Sequence, residues 1–395
     1  MGNYLKNIAI VSKKIAKLIK RDILKRPVEN YFRQNNDKSV LISYITKPFR
    51  SGIDISHTNF AESLEIAKVF NSLQFNVDIA DYDYEGFIDY KKYDVIFGFG
   101  EPLVNSFAFG MNKDTRRIYY GTGMHISVQN QNSLARVKDV KNRKDKWIIE
   151  SGRVVEKAWT AQTTLVDAMI VLGNDEVKNS YEKFYNGKIF TVNPSFFRVC
   201  NYDEIISNKD FSVAKKNFLW LGSSGLIHKG LDLVLETFKS IPDLHLHVCG
   251  PVNSEQNFEK IYFNELFKTP NIHTYGFIKL DTALFRELLN KCAFVIYPSC
   301  SEGGSPSVIN VCGNGGLIPV LTKEVTLNTD GFGITIEDYK IDSIKTALQL
   351  SQSYSNEELR DLSKKSGETM SNFTLNNFSD QIRRALITTL NLKTE

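Results

Sequence analysis

The sequence of 395 residues predicts an α/β protein made of two domains of similar size. Short apolar runs typical of buried strands alternate with stretches of helical periodicity through most of the chain, and this alternation indicates parallel sheets. A charged stretch at 201–210 separates two such series, and the chain is long enough for two full cores. We therefore predict domains at 37–205 and 206–372, preceded by a helix within 1–36 and followed by a helix within 373–395.

The composition is that of a soluble globular protein, with 42% hydrophobic and 24% charged residues. A net charge of +4 is too small to indicate a nucleic-acid partner. Five cysteines without a CxxC pair indicate neither a disulfide framework nor a zinc site, which favours a reducing compartment. Because no apolar run is long enough to span a bilayer, we expect a cytoplasmic protein.

Residues 4–26 have the pattern of a strongly basic amphipathic helix. Isoleucine, leucine and valine side chains lie on one face, and lysine and arginine side chains crowd the rest. Such a helix can lie in the headgroup plane of an anionic membrane. The alternatives are a helix packed on its own protein and an arm that binds a partner.

The first domain begins with a strand at 40–45, followed by a long polar loop and a helix at about 60–73. Leu64, Ala67 and Phe70 supply the apolar face of that helix. Further strands are predicted at 76–80, 95–98, 118–120 and 168–172.

The second domain begins with the apolar strand FLWLG at 218–222. Later strands are predicted at 244–249, 272–275, 293–297 and 318–321, with helices at about 230–239, 255–268 and 281–291. The last amphipathic helix, 378–392, is expected to cross back to the first domain.

The stretch 293–321 combines features expected of a ligand site. A buried strand is followed by Glu302, Gly303 and Gly304, and then by a helical pattern from about Pro306. Ligands bind at the carboxyl ends of strands in a doubly wound sheet. A helix N-terminus favours an anion such as a diphosphate, and a carboxylate can accept hydrogen bonds from sugar hydroxyls. The combination indicates a nucleotide-sugar pocket.

The segment LGSSGLIHKGLDLVLETF, which opens the second domain, predicts a phosphate site. A strand and a glycine-bearing turn lead to Lys229-Gly230 and a helix. The N–H groups of the turn would face the anion, and Lys229 would add a positive charge. Neither the P-loop nor the dinucleotide-binding pattern is present. The alternative is that Lys229 is a solvated residue at a helix start.

These two segments together resemble the carboxyl-terminal domain of GT-B fold glycosyltransferases, most closely glycosyltransferase family 4. The resemblance implies two Rossmann-like domains that face each other across a cleft. It implies that Lys229 binds the donor diphosphate and that Glu302 lies at the donor sugar. The other donor-binding residues it implies are Gly222, Ser223, Gly276, Phe277, Gly303, Gly304, Ser305 and Asn310.

Three positions depart from the family pattern. Ser305 replaces the second glycine of the motif, and Asn310 replaces its second glutamate, a ribose ligand. Ser223 replaces the arginine that pairs with the diphosphate, so more of the phosphate charge would rest on Lys229 and on helix dipoles.

The resemblance also implies a role for His125, which follows a strand and turn in IYYGTGMH. Its place resembles that of the family's histidine near the donor sugar, so His125 and Glu302 are the predicted catalytic residues. The alternative is a structural loop histidine. His57, Thr58 and Asn59 are further candidates for acceptor or phosphate contact.

The function implied is a retaining glycosyltransferase that uses a UDP- or GDP-sugar without a metal ion. Its acceptor would be a hydroxyl of a glycan or of a lipid-linked sugar in cell-surface polysaccharide synthesis. With the basic helix at 4–26, such an enzyme would work at the inner face of the membrane. A basic run at 136–144 is expected to be a solvated face, to extend a membrane-facing surface, or to meet an acidic acceptor.

Two alternatives keep the fold. A non-catalytic binding or scaffold subunit is favoured by Ser223, Ser305 and Asn310. A nucleotide-sugar epimerase would need more acid and base side chains in the cleft than the sequence offers.

Overall fold

The computed structural model describes residues 26–53, 55, 57–108, 114–158 and 160–392. Apart from Arg26, the basic helix predicted at 4–26 lies outside these residues. Within the described parts of the chain, no helix is long and apolar enough to cross a membrane.

The first sheet is built from parallel strands in the order β2-β1-β3-β4-β5-β6. The strands are β1 (Lys38–Tyr44), β2 (Phe75–Asp81), β3 (Val95–Gly98), β4 (Arg116–Gly121), β5 (Ala168–Leu172) and β6 (Lys188–Val192). Their apolar side chains, such as Ile42 and Phe97, are fully buried. Burial on both faces is typical of parallel sheets covered by helices.

The second sheet is also parallel, in the order β12-β11-β10-β7-β8-β9. Its strands are β7 (Asn217–Leu221), β8 (His245–Cys249), β9 (Ile272–Gly276), β10 (Phe294–Tyr297), β11 (Ile318–Leu321) and β12 (Ile334–Thr335). Phe218 and Phe294 stack across the two central strands, with ring centroids 4.8 Å apart. The two-sheet α/β fold class predicted from the sequence is confirmed.

Helices connect the strands of each sheet. Those of the first part are α1 (Lys47–Ser51), α2 (Thr58–Ser72), α3 (Glu101–Asn105), α4 (Ile126–Lys144) and α5 (Asp175–Glu182). The later ones are α6 (Tyr202–Asn208), α7 (Phe211–Ala214), α8 (Leu231–Lys239), α9 (Gln256–Ile261), α10 (Phe263–Lys268), α11 (Ala283–Lys291), α12 (Pro306–Gly315), α13 (Ile341–Ser353), α14 (Asn356–Ser371) and α15 (Leu375–Leu390).

Two helices join one domain to the other. Val137 and Val140 of α4 are buried in the hydrophobic core of the second domain, although α4 follows a strand of the first sheet. Phe378 and Ile382 of α15 are buried in the core of the first domain, although α15 follows the second sheet. Each core therefore contains side chains of a helix that follows the other sheet in the chain. This packing fixes the orientation of the two sheets around the space between them.

Ion pairs also connect α4 to the second domain. Arg136 is 2% exposed, and its guanidinium Nη2 lies 2.6 Å from Oδ2 of the fully buried Asp232 on α8. Arg143 pairs with Asp232 and with Glu236. The basic run at 136–144 was expected to face solvent or a membrane. That expectation is wrong for Arg136, because it is buried against the second domain, where Asp232 of α8 and Asp139 of its own helix neutralise it.

Candidate functional site

A cleft of about 780 Å³ lies between the two domains. Its walls are the loops that follow the strands of both sheets, because the carboxyl ends of the strands face each other. The first domain contributes residues that include Tyr44, Asn59, Glu62, Phe99, Tyr119, Thr122, Gly123 and Arg153. The second contributes residues that include Gly222, Ser223, Lys229, Phe277, Glu302, Gly303, Ser305 and Asn310.

Glu302 and Lys229 form a buried ion pair at the wall of the cleft. The Lys229 ammonium donates to Oε1 of Glu302 at 2.8 Å, although the two residues are far apart in sequence. Oε1 also accepts hydrogen bonds from the hydroxyls of Tyr297, at 3.2 Å, and Ser299, at 3.0 Å. Three donors therefore hold the carboxylate in one orientation at the end of β10.

The same contacts set the charge states of the pair. Burial alone would raise the pKa of the Glu302 carboxyl, but the Lys229 charge, with a smaller contribution from Arg153, lowers that pKa to about 2. Burial lowers the pKa of Lys229, and the Glu302 carboxylate opposes that shift. Glu302 is therefore ionised at neutral pH and acts as a hydrogen-bond acceptor, so it is not suited to be a general acid.

His228, beside Lys229, joins the domains instead of facing the cleft. Its Nε2 donates to the carbonyl oxygen of Ser301 at 2.7 Å, and its Nδ1 accepts from the hydroxyl of Ser133 on α4 at 2.8 Å. Burial lowers its pKa to about 3. A neutral imidazole with both nitrogens occupied has a structural role.

The glycine turn, residues 222–230, differs from the expected phosphate cradle. The N–H groups of Gly225 and Leu226 donate to the carboxylate of Glu255. Those of residues 227–230 donate to backbone carbonyls. Protein groups therefore occupy the N–H groups from 225 to 230, and the positive charge of the turn comes from Lys229.

The start of α12 remains available to an anion. The N–H groups of Gly303 and Ser305 form no hydrogen bond with any described residue, and both residues line the cleft. A Cβ on Gly303 would lie 2.5 Å from the Thr122 carbonyl oxygen, so glycine is needed where the domains meet. Ser305 has a left-handed backbone with φ 38°, which costs a non-glycine residue about 1 kcal/mol.

Asn310 lines the cleft, but its amide holds the backbone. Its Oδ1 accepts from the N–H of Phe197 at 3.1 Å, and its Nδ2 donates to the Pro306 carbonyl at 2.8 Å. An amide so engaged has little left to offer a ribose.

The remaining donor-site candidates fall into two groups. Gly222, Ser223 and Phe277 line the cleft, and the Phe277 side chain is 53% exposed. Gly276 and Gly304 do not line it. Both have left-handed backbones, with φ 73° and 78°, so they shape the loops that carry their neighbours.

His125 does not line the cleft, although Met124 and Ile126 on either side of it do. Its ring stacks on Phe184, with centroids 4.1 Å apart, and its Nδ1 accepts from the N–H of Ser127. Its Nε2 is buried without a hydrogen-bond partner among the described residues. Burial lowers the pKa of the imidazole to about 4. This position favours the structural alternative over a catalytic role.

Sequence reasoning missed Glu62, which is 1% exposed and lines the cleft. Its Oε1 accepts from the N–H and the hydroxyl of Ser195 at 2.7 and 2.9 Å, and burial raises its pKa to about 7. The sequence contains a signal for it, because Glu62 lies on the same helical face as Ile66 and Phe70.

Sequence reasoning also missed Arg153, which reaches the cleft from the loop after α4. No motif or periodicity marks this residue in the sequence.

Known proteins match this chain in structure and not in sequence. No protein family profile matches the chain, and no curated protein sequence matches it. A sucrose-phosphate synthase from Thermosynechococcus elongatus matches with TM-score 0.61 at 11% identity, over 90% of this chain and 100% of the synthase. HepE from Anabaena, solved with UDP-glucose, matches with TM-score 0.55 at 11% identity, over 89% of this chain and 99% of HepE.

The chain has the GT-B glycosyltransferase fold. The fold of two Rossmann-like domains, which the family resemblance implied from the sequence, is therefore confirmed. TarM also matches, with TM-score 0.49 at 16% identity over 77% of this chain, but this chain spans only 56% of the length of TarM.

Proposed function

We propose that this GT-B fold protein is a glycosyltransferase that moves a sugar from a nucleoside-diphosphate-sugar to a hydroxyl group. The observation that carries the proposal is the Glu302–Lys229 pair, 2.8 Å apart in a cleft between the domains. Beside the pair are the free N–H groups of Gly303 and Ser305. A carboxylate acceptor next to anion-binding groups suits a sugar joined to a diphosphate.

The donor would lie along the second-domain wall. Its diphosphate would bind near the start of α12, its sugar hydroxyls would donate to Glu302, and its base would stack on the exposed ring of Phe277. HepE, which shares the fold, has been solved with UDP-glucose, and this supports a UDP-sugar over the GDP-sugar that the sequence also allows.

Catalysis would come from positioning and from stabilising charge on the departing diphosphate. The ionised Glu302 would orient the donor sugar and would also keep the Lys229 ammonium in place. We also propose that the reaction retains the stereochemistry of the transferred sugar and that it needs no metal ion. Both are supported by the family resemblance.

The acceptor would bind on the first-domain wall. Tyr44, Phe99 and Tyr119 supply aromatic surface there, and Glu62 supplies a carboxyl group. Aromatic rings beside hydrogen-bonding groups suit a sugar acceptor, free or lipid-linked. We propose a cytoplasmic enzyme of cell-surface polysaccharide synthesis, held at the inner membrane face by residues 4–26.

A second candidate is a non-catalytic subunit that keeps the fold. It is favoured by Asn310, whose amide is engaged with backbone groups, and by the glycine turn, whose N–H groups from 225 to 230 are occupied. Against it stands the ionised pair of Glu302 and Lys229.

Ligand-observed NMR of the full chain with UDP, GDP, ADP, CMP, dTDP and their sugar conjugates tests the proposal. We expect one nucleoside diphosphate and its sugar conjugate to bind, with weaker binding in Lys229→Ala. Glu302→Gln should weaken the sugar conjugate more than the free nucleotide, because Glu302 faces the sugar. No binding of any of these compounds by the wild-type chain would support the non-catalytic candidate instead.

A further inference from the structure

Residues 151–153 of the first domain are attached to the glycine turn of the second. The Ser151 carbonyl accepts hydrogen bonds from the N–H groups of Ile227 and His228, each at 3.1 Å. Gly225, with φ 89°, faces Arg153, and a Cβ on Gly225 would lie 3.1 Å from the Arg153 Cβ. The backbone of Arg153 is therefore held against the turn that carries Lys229.

The donor site is short of positive charge without a further cation. The Lys229 charge is neutralised by Glu302 at 2.8 Å, and the N–H groups of 225–230 are occupied. Position 223 carries a serine. The free N–H groups of Gly303 and Ser305 bring only partial charges to a multiply charged diphosphate.

The Arg153 guanidinium is positioned to supply that charge. Arg153 is exposed and lines the cleft, and its guanidinium forms no hydrogen bond or ion pair with any described residue. Its charge lowers the pKa values of both Lys229 and Glu302, alongside the larger effects of burial and of the pair itself. The guanidinium therefore belongs to a residue that lines the same cleft as the pair, and it has no partner among the described residues.

We propose that Arg153 binds the diphosphate of the donor, in place of the arginine that position 223 lacks. This inference rests on the proposed function and names the residue that completes its donor site. Because an arginine fork matches phosphate oxygens, Arg153 should contribute more to a diphosphate than to a monophosphate. Since residues 151–153 are attached to the second domain, the site is complete without movement of the domains.

Titration calorimetry of the full chain with UDP, UMP, GDP and GMP tests the inference. Arg153→Ala should weaken the binding of the preferred nucleoside diphosphate roughly 10- to 100-fold and that of its monophosphate less. Arg153→Lys should lose part of this affinity. Arg153→Ala combined with Ser223→Arg should recover part of the loss, because the charge returns from the other wall.

Arg33→Ala is the matched control. Arg33 is also an exposed arginine with a left-handed backbone, φ 54° against 51° for Arg153, and it does not line the cleft. The Arg33→Ala variant should bind the nucleotide with the wild-type affinity. An affinity of Arg153→Ala within about twofold of the wild type, or an equal loss in Arg33→Ala, would overturn the inference alone. A wild-type chain that binds no nucleoside diphosphate would overturn the proposed function and this inference with it.

Discussion

Replacement of Glu62 by glutamine should stabilise the protein at alkaline pH. Glu62 is fully buried, and burial raises its pKa from 4.5 to about 7, against the smaller opposing effect of its hydrogen bonds from Ser195. The unfolded chain therefore loses its proton before the folded chain does, and stability falls as pH rises from 4.5 to 7. This pKa shift corresponds to about 3 kcal/mol of the free energy of unfolding. That contribution is present below this pH range and lost above it.

Glutamine removes this cost, because it stays neutral at every pH and its amide oxygen can still accept from Ser195. The free energy of unfolding of Glu62→Gln should equal that of the wild type at pH 5 to within about 1 kcal/mol. At pH 8 it should exceed the wild-type value by up to about 3 kcal/mol. The neighbouring Tyr44 and Tyr120 hydroxyls do not interfere, because burial raises the pKa of both.

Urea unfolding followed by tryptophan fluorescence at pH 5 and pH 8 measures the effect. Glu302→Gln is the control of opposite sign. Burial would raise the Glu302 pKa, but the Lys229 charge lowers it to about 2, so its stabilisation is present above pH 4.5 and is lost only as pH falls towards 2. Glu302→Gln should thus be destabilised equally at pH 5 and pH 8. A Glu62→Gln variant whose difference from the wild type does not change between these pH values would refute the reasoning.

Two further predictions concern the domain contact and the membrane. Arg136→Met should lower the free energy of unfolding by roughly 1–3 kcal/mol, less than for an isolated buried pair, because Arg143 still neutralises Asp232. Urea unfolding should show part of that loss recovered in Arg136→Met/Asp232→Leu, and no recovery would contradict a pairwise origin. Vesicles containing anionic lipid should co-sediment the full chain more than a chain lacking residues 1–36, and equal sedimentation of both would remove the basic helix from the membrane proposal.

The sequence was sufficient for the fold class and for the second-domain wall of the cleft. Strand and helix periodicity are local properties, and the carboxyl ends of parallel strands necessarily share one edge. This edge is where the family resemblance put Lys229 and Glu302 together, although one follows β7 and the other β10. The GT-B fold itself came from motif resemblance, since periodicity alone gives only two α/β units.

The sequence was a poorer guide to the roles of single residues than to the fold. His125 and Asn310 stand where the resemblance puts a catalytic histidine and a ribose ligand, but side-chain direction depends on packing. The ring of His125 packs on Phe184, and the Asn310 amide oxygen accepts a hydrogen bond from the Phe197 N–H. Sequence position does not determine either contact.

Charge and burial across the domain boundary were decided by tertiary structure alone. Arg136 belongs to a run of lysines and arginines that would be solvated on an isolated helix. It is buried because α4 packs into the second domain, where Asp232 neutralises it. Arg153 and Glu62 join the cleft in the same way, through segments that meet only when the two sheets face each other. The sequence by itself determined which residues are apolar, polar or charged, and the long-range packing determined which charges remain available to a ligand.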